Sequence, residues 1–115
     1  MALYSELPVY KVTYELLREV VMLTRNVSKD YRYTLCGDLR EKLMGIMIQV
    51  YRANRTTEKR QHIAEARELV VESRIYMRLL ADFRQISAMQ YASLADKSEL
   101  ISKQLTAWEK SVTTL

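Results

Sequence analysis

His62 is the only histidine in the chain and Cys36 the only cysteine. Any Ser–His or Cys–His nucleophile pair would have to use them. The neighbours of His62 are the polar residues Arg60, Gln61 and Glu65, which predicts a solvated surface side chain in the first turns of a helix. Cys36 has no CxxC partner. A place near a helix start would lower its pKa modestly, but a small buried or half-buried residue is the better reading. Metal binding needs several His, Cys or carboxylate side chains converging on one point. The Glu-x-x-His pattern of bundle-core di-metal sites does not occur in the sequence. Two glycines cannot make a phosphate-cradling loop. The residues therefore predict a non-enzymatic protein with no metal and no cofactor.

The basic residues carry more information. Lys11, Arg18 and Arg25 recur every seven residues, and so do Arg60, Arg67 and Arg74, with Arg78 one turn further on. On a helix this spacing keeps side chains on one face, about 10 Å apart. The planar guanidinium fork suits phosphates and stacked bases. Each row is thus a candidate track for an RNA or DNA backbone. The competing reading is an ordinary solvated face, because Glu15, Glu19, Glu65, Glu68 and Glu72 stand close enough in sequence to neutralise part of each row. A formal charge of +4 leans towards anionic partners without deciding between the two.

Those rows need helices to hold them, and the composition supplies little else. A chain of 115 residues makes one domain, residues 1–115. Two Gly and one Pro are too few for the frequent turns of a sandwich or barrel. Apolar residues, 49% of the total, are enough for a packed core. A lone cysteine forbids an internal disulfide and fits a reducing, cytoplasmic compartment. The longest apolar stretch, Leu43 to Ile48, is far too short to span a membrane. Residues 1–6 show neither the basic nor the apolar region of a signal peptide.

Hydrophobic periodicity predicts helices over about 8–26, 34–54, 58–84 and 88–112. Pro8 suits a first helical turn, and Tyr10, Tyr14, Leu17 and Val21 form the first stripe, which fades at the polar Thr24. A polar break follows over Ser28, Lys29, Asp30 and Tyr31. Leu35, Leu39, Leu43, Ile46, Val50 and Ala53 form the second stripe, interrupted by Gly37 and Gly45, which mark candidate close approaches between helices. Thr57 is the expected cap of the third helix, whose stripe is Ile63, Ala66, Val70, Ser73, Met77 and Leu80. Ser87 and Gln90 have capping-box spacing, and Ile86 can staple onto Tyr91. The fourth stripe runs Tyr91, Leu94, Ser98, Ile101, Leu105, Trp108 and Val112, so Trp108 is expected mostly buried. Residues 1–6 and 113–115 should be loose ends. Four such helices pack most simply as an all-α, antiparallel up-down-up-down bundle. Met44, Met47, Tyr51, Leu69, Ile75, Tyr76 and Leu79 lie off these stripes, which predicts either a wider core or a face that meets another subunit.

Several short stretches then follow one another in order: Leu7-Pro8-Val9-Tyr10-Lys11, Tyr33-Thr34-Leu35, Gly37-Asp38-Leu39-Arg40, Tyr51-Arg52-Ala53-Asn54, Arg78-Leu79-Leu80-Ala81-Asp82, Ile86-Ser87, and Lys103-Gln104-Leu105 with Trp108. Together they resemble the small four-helix bundle proteins encoded in intervening sequences of large-subunit ribosomal RNA genes. The same superfamily includes the accessory variability determinant (Avd) of diversity-generating retroelements. The resemblance spans nearly the whole chain. It departs at Ser28-Lys29, where the family has Pro-Arg, and at Thr106-Ala107, where it has Gly-Gly. Both branches, retroelement and ribosomal, stay open. The resemblance implies a homopentameric ring with a basic surface which, in the retroelement branch, binds a reverse transcriptase and nucleic acid. It also draws attention to Arg52 as a phosphate contact at the bundle end. The structural alternative has Asn54 capping the second helix, Tyr51 packing, and Arg52 binding last-turn carbonyls or Asp82. Asp82, near a helix C-terminus, needs a cation such as Arg78 or Arg52.

Overall fold

The computed structural model describes residues 3–113. Four long helices carry the chain: α1 (Pro8–Thr24), α2 (Leu35–Asn54), α3 (Arg60–Asp82) and α4 (Ala88–Thr113). Among the described residues there is no strand. Each helix packs on two others, α1 on α2 and α4, and α3 on α2 and α4, so the four enclose one core in a body 47 Å long and 20 × 18 Å across. Residues 1–2 and 114–115, part of the expected loose ends, lie outside the described residues. Tyr4–Glu6 is not loose: it forms a 3-10 turn. The Tyr4 ring stands edge-on to Tyr10 at 5.2 Å and to Tyr51 at 5.0 Å.

The second and third stripes are buried as the periodicity predicts, with Leu35 only half covered. In the fourth, Leu94, Ser98, Ile101 and Leu105 are buried, while Tyr91, Trp108 and Val112 are half-buried against the core. Ser73 and Ser98 are tolerated inside because each hydroxyl donates to a carbonyl one turn back, Leu69 O at 2.7 Å and Leu94 O at 2.9 Å.

In α1 the expected stripe is displaced by one position. The buried residues are Val9, Thr13, Leu16, Val20 and Thr24, whereas Tyr14 is 51% and Val21 42% exposed. The cause is the pair of threonines. Thr13 Oγ1 donates to Val9 O and Thr24 Oγ1 to Val20 O, both at 2.7 Å. With its hydroxyl satisfied by its own helix, a threonine presents a methyl to the core and counts as apolar there. Reading it as polar shifts the register.

The helix ends also differ from the spacing. Thr57 does not cap α3, which begins at Arg60 with Lys59 at the N-cap. Thr56 Oγ1 instead accepts from the Glu58 amide at 3.2 Å. Lys59 Nζ donates to Ala53 O at 2.7 Å, Thr56 O at 2.8 Å and Asn54 O at 3.5 Å, so it closes the carbonyl end of α2. This is the role expected of Arg52, which is exposed. Gly45 does mark a close approach, since a Cβ there would meet Leu69 Cδ1 at 3.0 Å, but Gly37 has nothing within 4 Å. The capping box forms reciprocally: the Ser87 amide donates to Gln90 Oε1 at 2.8 Å and the Gln90 amide to Ser87 Oγ at 3.0 Å. The polar break after α1 contains one helical turn, Lys29–Arg32. It is tied to the α3–α4 connection by the Ser28 amide, which donates to Gln85 Oε1 at 2.8 Å, and by Tyr31 stacked on Phe83 at 5.5 Å.

Candidate nucleic-acid interface

Heptad spacing does put Arg67, Arg74 and Arg78 on one face of α3, but that face is the flank turned towards α4. Arg67 pairs with Glu109. Arg74 pairs with Glu99 at 2.9 Å, and its Nε is buried without a partner. Arg78 pairs with Asp82 at 3.0 Å, one turn along its own helix, which answers the need of Asp82 for a cation. Its pKa is raised, first by that hydrogen bond and then by Tyr91. Arg60 is exposed at the first turn of α3. Three of the four cations in this row are therefore already matched by carboxylates, two of which come from a helix that spacing within α3 cannot show.

Among the described residues, none of the five glutamates expected to neutralise the rows forms an ion pair with a member of them. Glu19 pairs with Lys97 at 2.7 Å, linking α1 to α4, and accepts from Ser93 Oγ at 2.9 Å. Glu72 pairs with Lys42 at 3.1 Å across α2 and α3, and that hydrogen bond raises the Lys42 pKa. Among the described residues, Glu15, Glu65 and Glu68 form no ion pair.

The row on α1 is different. Lys11, Arg18 and Arg25 are all exposed and, among the described residues, form no ion pair. Arg25 lies just past the helix but keeps helical geometry, φ −59° and ψ −30°, so the row continues without a bend. Tyr14 and Val21 sit between its members, three residues after Lys11 and Arg18, giving an exposed stripe of alternating cations and apolar side chains. At the bundle end, Arg55 Nη1 donates to the Tyr51 hydroxyl at 3.0 Å and its guanidinium lies 5.5 Å from the ring centre. This pairing was not legible as a site in the sequence, although the four-residue spacing of Tyr51 and Arg55 is the local signal for it.

Beside the α1 row runs an apolar groove between α1 and α2, lined by Tyr4, Tyr10, Leu17, Met44, Met47, Ile48 and Tyr51. Burial, more than its tyrosine neighbours, raises the pKa of the Tyr10 phenol. His62 is half-buried rather than solvated: its Nδ1 lies 2.8 Å from Gln49 Oε1 and joins α3 to α2. Cys36 is free and buried. Among the described residues no three His, Cys, Asp or Glu side chains converge on one point, and no helix is long and apolar enough to cross a membrane. No protein-family model matches the chain, and no curated protein matches it.

Proposed function

We propose that this protein is a non-enzymatic nucleic-acid-binding scaffold, an Avd-like accessory factor for a retroelement reverse transcriptase. The observation that carries the reading is the α1 row. Lys11, Arg18 and Arg25 are exposed, unpaired among the described residues, and about 10 Å apart along one helix. Unpaired cations release counterions from a phosphate backbone without first breaking an internal ion pair. The principal contact accordingly moves from α3 to α1, with Arg60, Arg67, Arg74, Arg78 and Arg52 as secondary contributors. Exposed pairs such as Arg78–Asp82 are screened by solvent and contribute little, so phosphates can still compete for them.

The test is binding of single-stranded RNA against salt. Three phosphate contacts per subunit predict a log–log slope near about −2, at roughly −0.7 per contact. Lys11→Glu with Arg18→Glu should abolish most of that slope, whereas Arg67→Glu with Arg74→Glu should change it less. A parent protein that binds no RNA at low salt overturns the reading.

The scaffold is an antiparallel up-down-up-down bundle in this proposal. The order of cross-helix contacts supports it: Lys42–Glu72 and Gln49–His62 join α2 to α3, and Arg67–Glu109 and Arg74–Glu99 join α3 to α4, numbers rising on one helix as they fall on the other. A homo-oligomeric ring, with five subunits from the family resemblance, completes it. A specific observation favours the second reading, a structural or protein-interaction oligomer of the ribosomal intervening-sequence type with no nucleic-acid role. Val71 and Ile75 on the outer side of α3 are 55% and 56% exposed, one turn apart.

A further inference from the structure

The groove between α1 and α2 is an apolar feature that the nucleic-acid reading leaves unexplained. Met44 and Ile48 in its wall are 46% and 49% exposed. Tyr14 and Val21 extend the apolar surface along α1, so the strip from Tyr10 to Val21 covers eleven steps of helix, about 17 Å. That length matches three turns of a second helix laid along it. Its walls are side chains of two well-packed helices, so the groove is already formed. Met44 and Met47 are unbranched and polarizable, and such side chains adapt to the ridges of an incoming helix. Amphipathic helices bind in grooves of this kind through apolar residues at one-turn spacing.

The rim identifies the occupant's other face. Lys11, Arg18 and Arg25 follow the apolar strip on α1. On α2, Arg40 stands one turn before Met44, and Arg55 is held against Tyr51. Against these five cations stand three exposed carboxylates, Glu15 between Lys11 and Arg18 on α1 and Asp38 and Glu41 on α2, so the rim keeps a positive balance. An occupant with a basic polar face would be repelled, and an acidic one attracted. We infer that this groove docks an amphipathic helix of a partner protein whose polar face is acidic. The assignment does not rest on the nucleic-acid reading, although the two ligands share the α1 cations and would compete for them.

Three synthetic peptides of about four turns, identical on their Leu/Met face and carrying Glu, Gln or Lys on the polar face, test the assignment by fluorescence anisotropy with the full chain. The Glu peptide should bind at least about tenfold more tightly than the Lys peptide, with the preference shrinking as salt rises. Met44→Gln with Ile48→Gln should abolish peptide binding while circular dichroism and thermal unfolding stay unchanged, because both side chains are half-exposed. Val71→Gln, on the opposite side, should leave it intact. Arg18→Glu should reduce the preference for the Glu peptide. Equal binding of all three peptides, or binding of none, overturns the assignment. So does a Met44→Gln, Ile48→Gln protein that sediments as a smaller species while the parent ignores the peptides, since the groove is then a contact between copies of this chain. Loss of RNA binding rather than peptide binding in that variant overturns it too.

Discussion

Thr13 shows how much a single side chain decides. Its hydroxyl is satisfied within α1, its methyl faces the core, and it is fully buried. That choice rotates the helix by one residue and turns Tyr14 outwards, beside Lys11 and Arg18. The register can be checked by stability measurements in urea. Leu16→Ala should destabilise by about 2–5 kcal/mol, the range for emptying a core leucine site. Tyr14→Ala should fall within about 0.5 kcal/mol of the parent, as expected for an exposed position. The reverse order would restore the stripe of Tyr10, Tyr14, Leu17 and Val21. Lys59 makes the same point, since its ammonium closes the end of α2 by reaching back across the connection.

Helix ends and close approaches set the element scale. The α3 terminus is a Schellman motif: the Gln85 amide donates to Leu80 O at 2.8 Å and the Arg84 amide to Ala81 O at 3.0 Å. Arg84 occupies the left-handed position, φ 58°, where glycine is usual. Arg84→Gly should therefore stabilise the fold by about 1 kcal/mol, read as a higher urea midpoint with unchanged slope. The two helical glycines of α2 should behave differently. Gly37→Ala adds a methyl in open space and should gain roughly 0.5–1 kcal/mol of helix propensity. Gly45→Ala gains the same propensity but requires Leu69 to give way, so its net effect should be smaller than that of Gly37→Ala. Equal gains at both positions would show that α2 and α3 are not constrained there.

At the scale of the whole molecule, charge and apolar surface are distributed unevenly. Arg67 and Arg74 of the α3 row are matched by α4, the α1 row is open, and apolar residues remain outside the core on α1, α2 and α3. The proposed oligomer should appear in sedimentation velocity as a species several times the 13.5 kDa chain mass. Val71→Lys with Ile75→Lys should shift it towards monomer if the outer side of α3 is a subunit contact. A parent that sediments as a monomer at tens of micromolar would remove the ring.

The all-helical class, the buried faces of α2, α3 and the middle of α4, and the Ser87–Gln90 cap were legible in the sequence because each depends on residues within a turn or two of one another. A stripe of Leu, Ile, Val and Met at three- and four-residue spacing has only one way to be buried. The α1 register was not, because a buried threonine is recognisable only once its hydroxyl has a partner and its methyl a neighbour. The candidate site divides in the same way. Heptad spacing placed both basic rows on single faces, but it could not say which flank of α3 would meet Glu99 and Glu109 or that α1 would leave Lys11, Arg18 and Arg25 unpaired. Nor could it show the groove, whose two walls come no nearer in the chain than Leu17 and Met44, 27 residues apart. Spacing fixes which side chains share a face. Only the packing of one helix against another decides what that face meets.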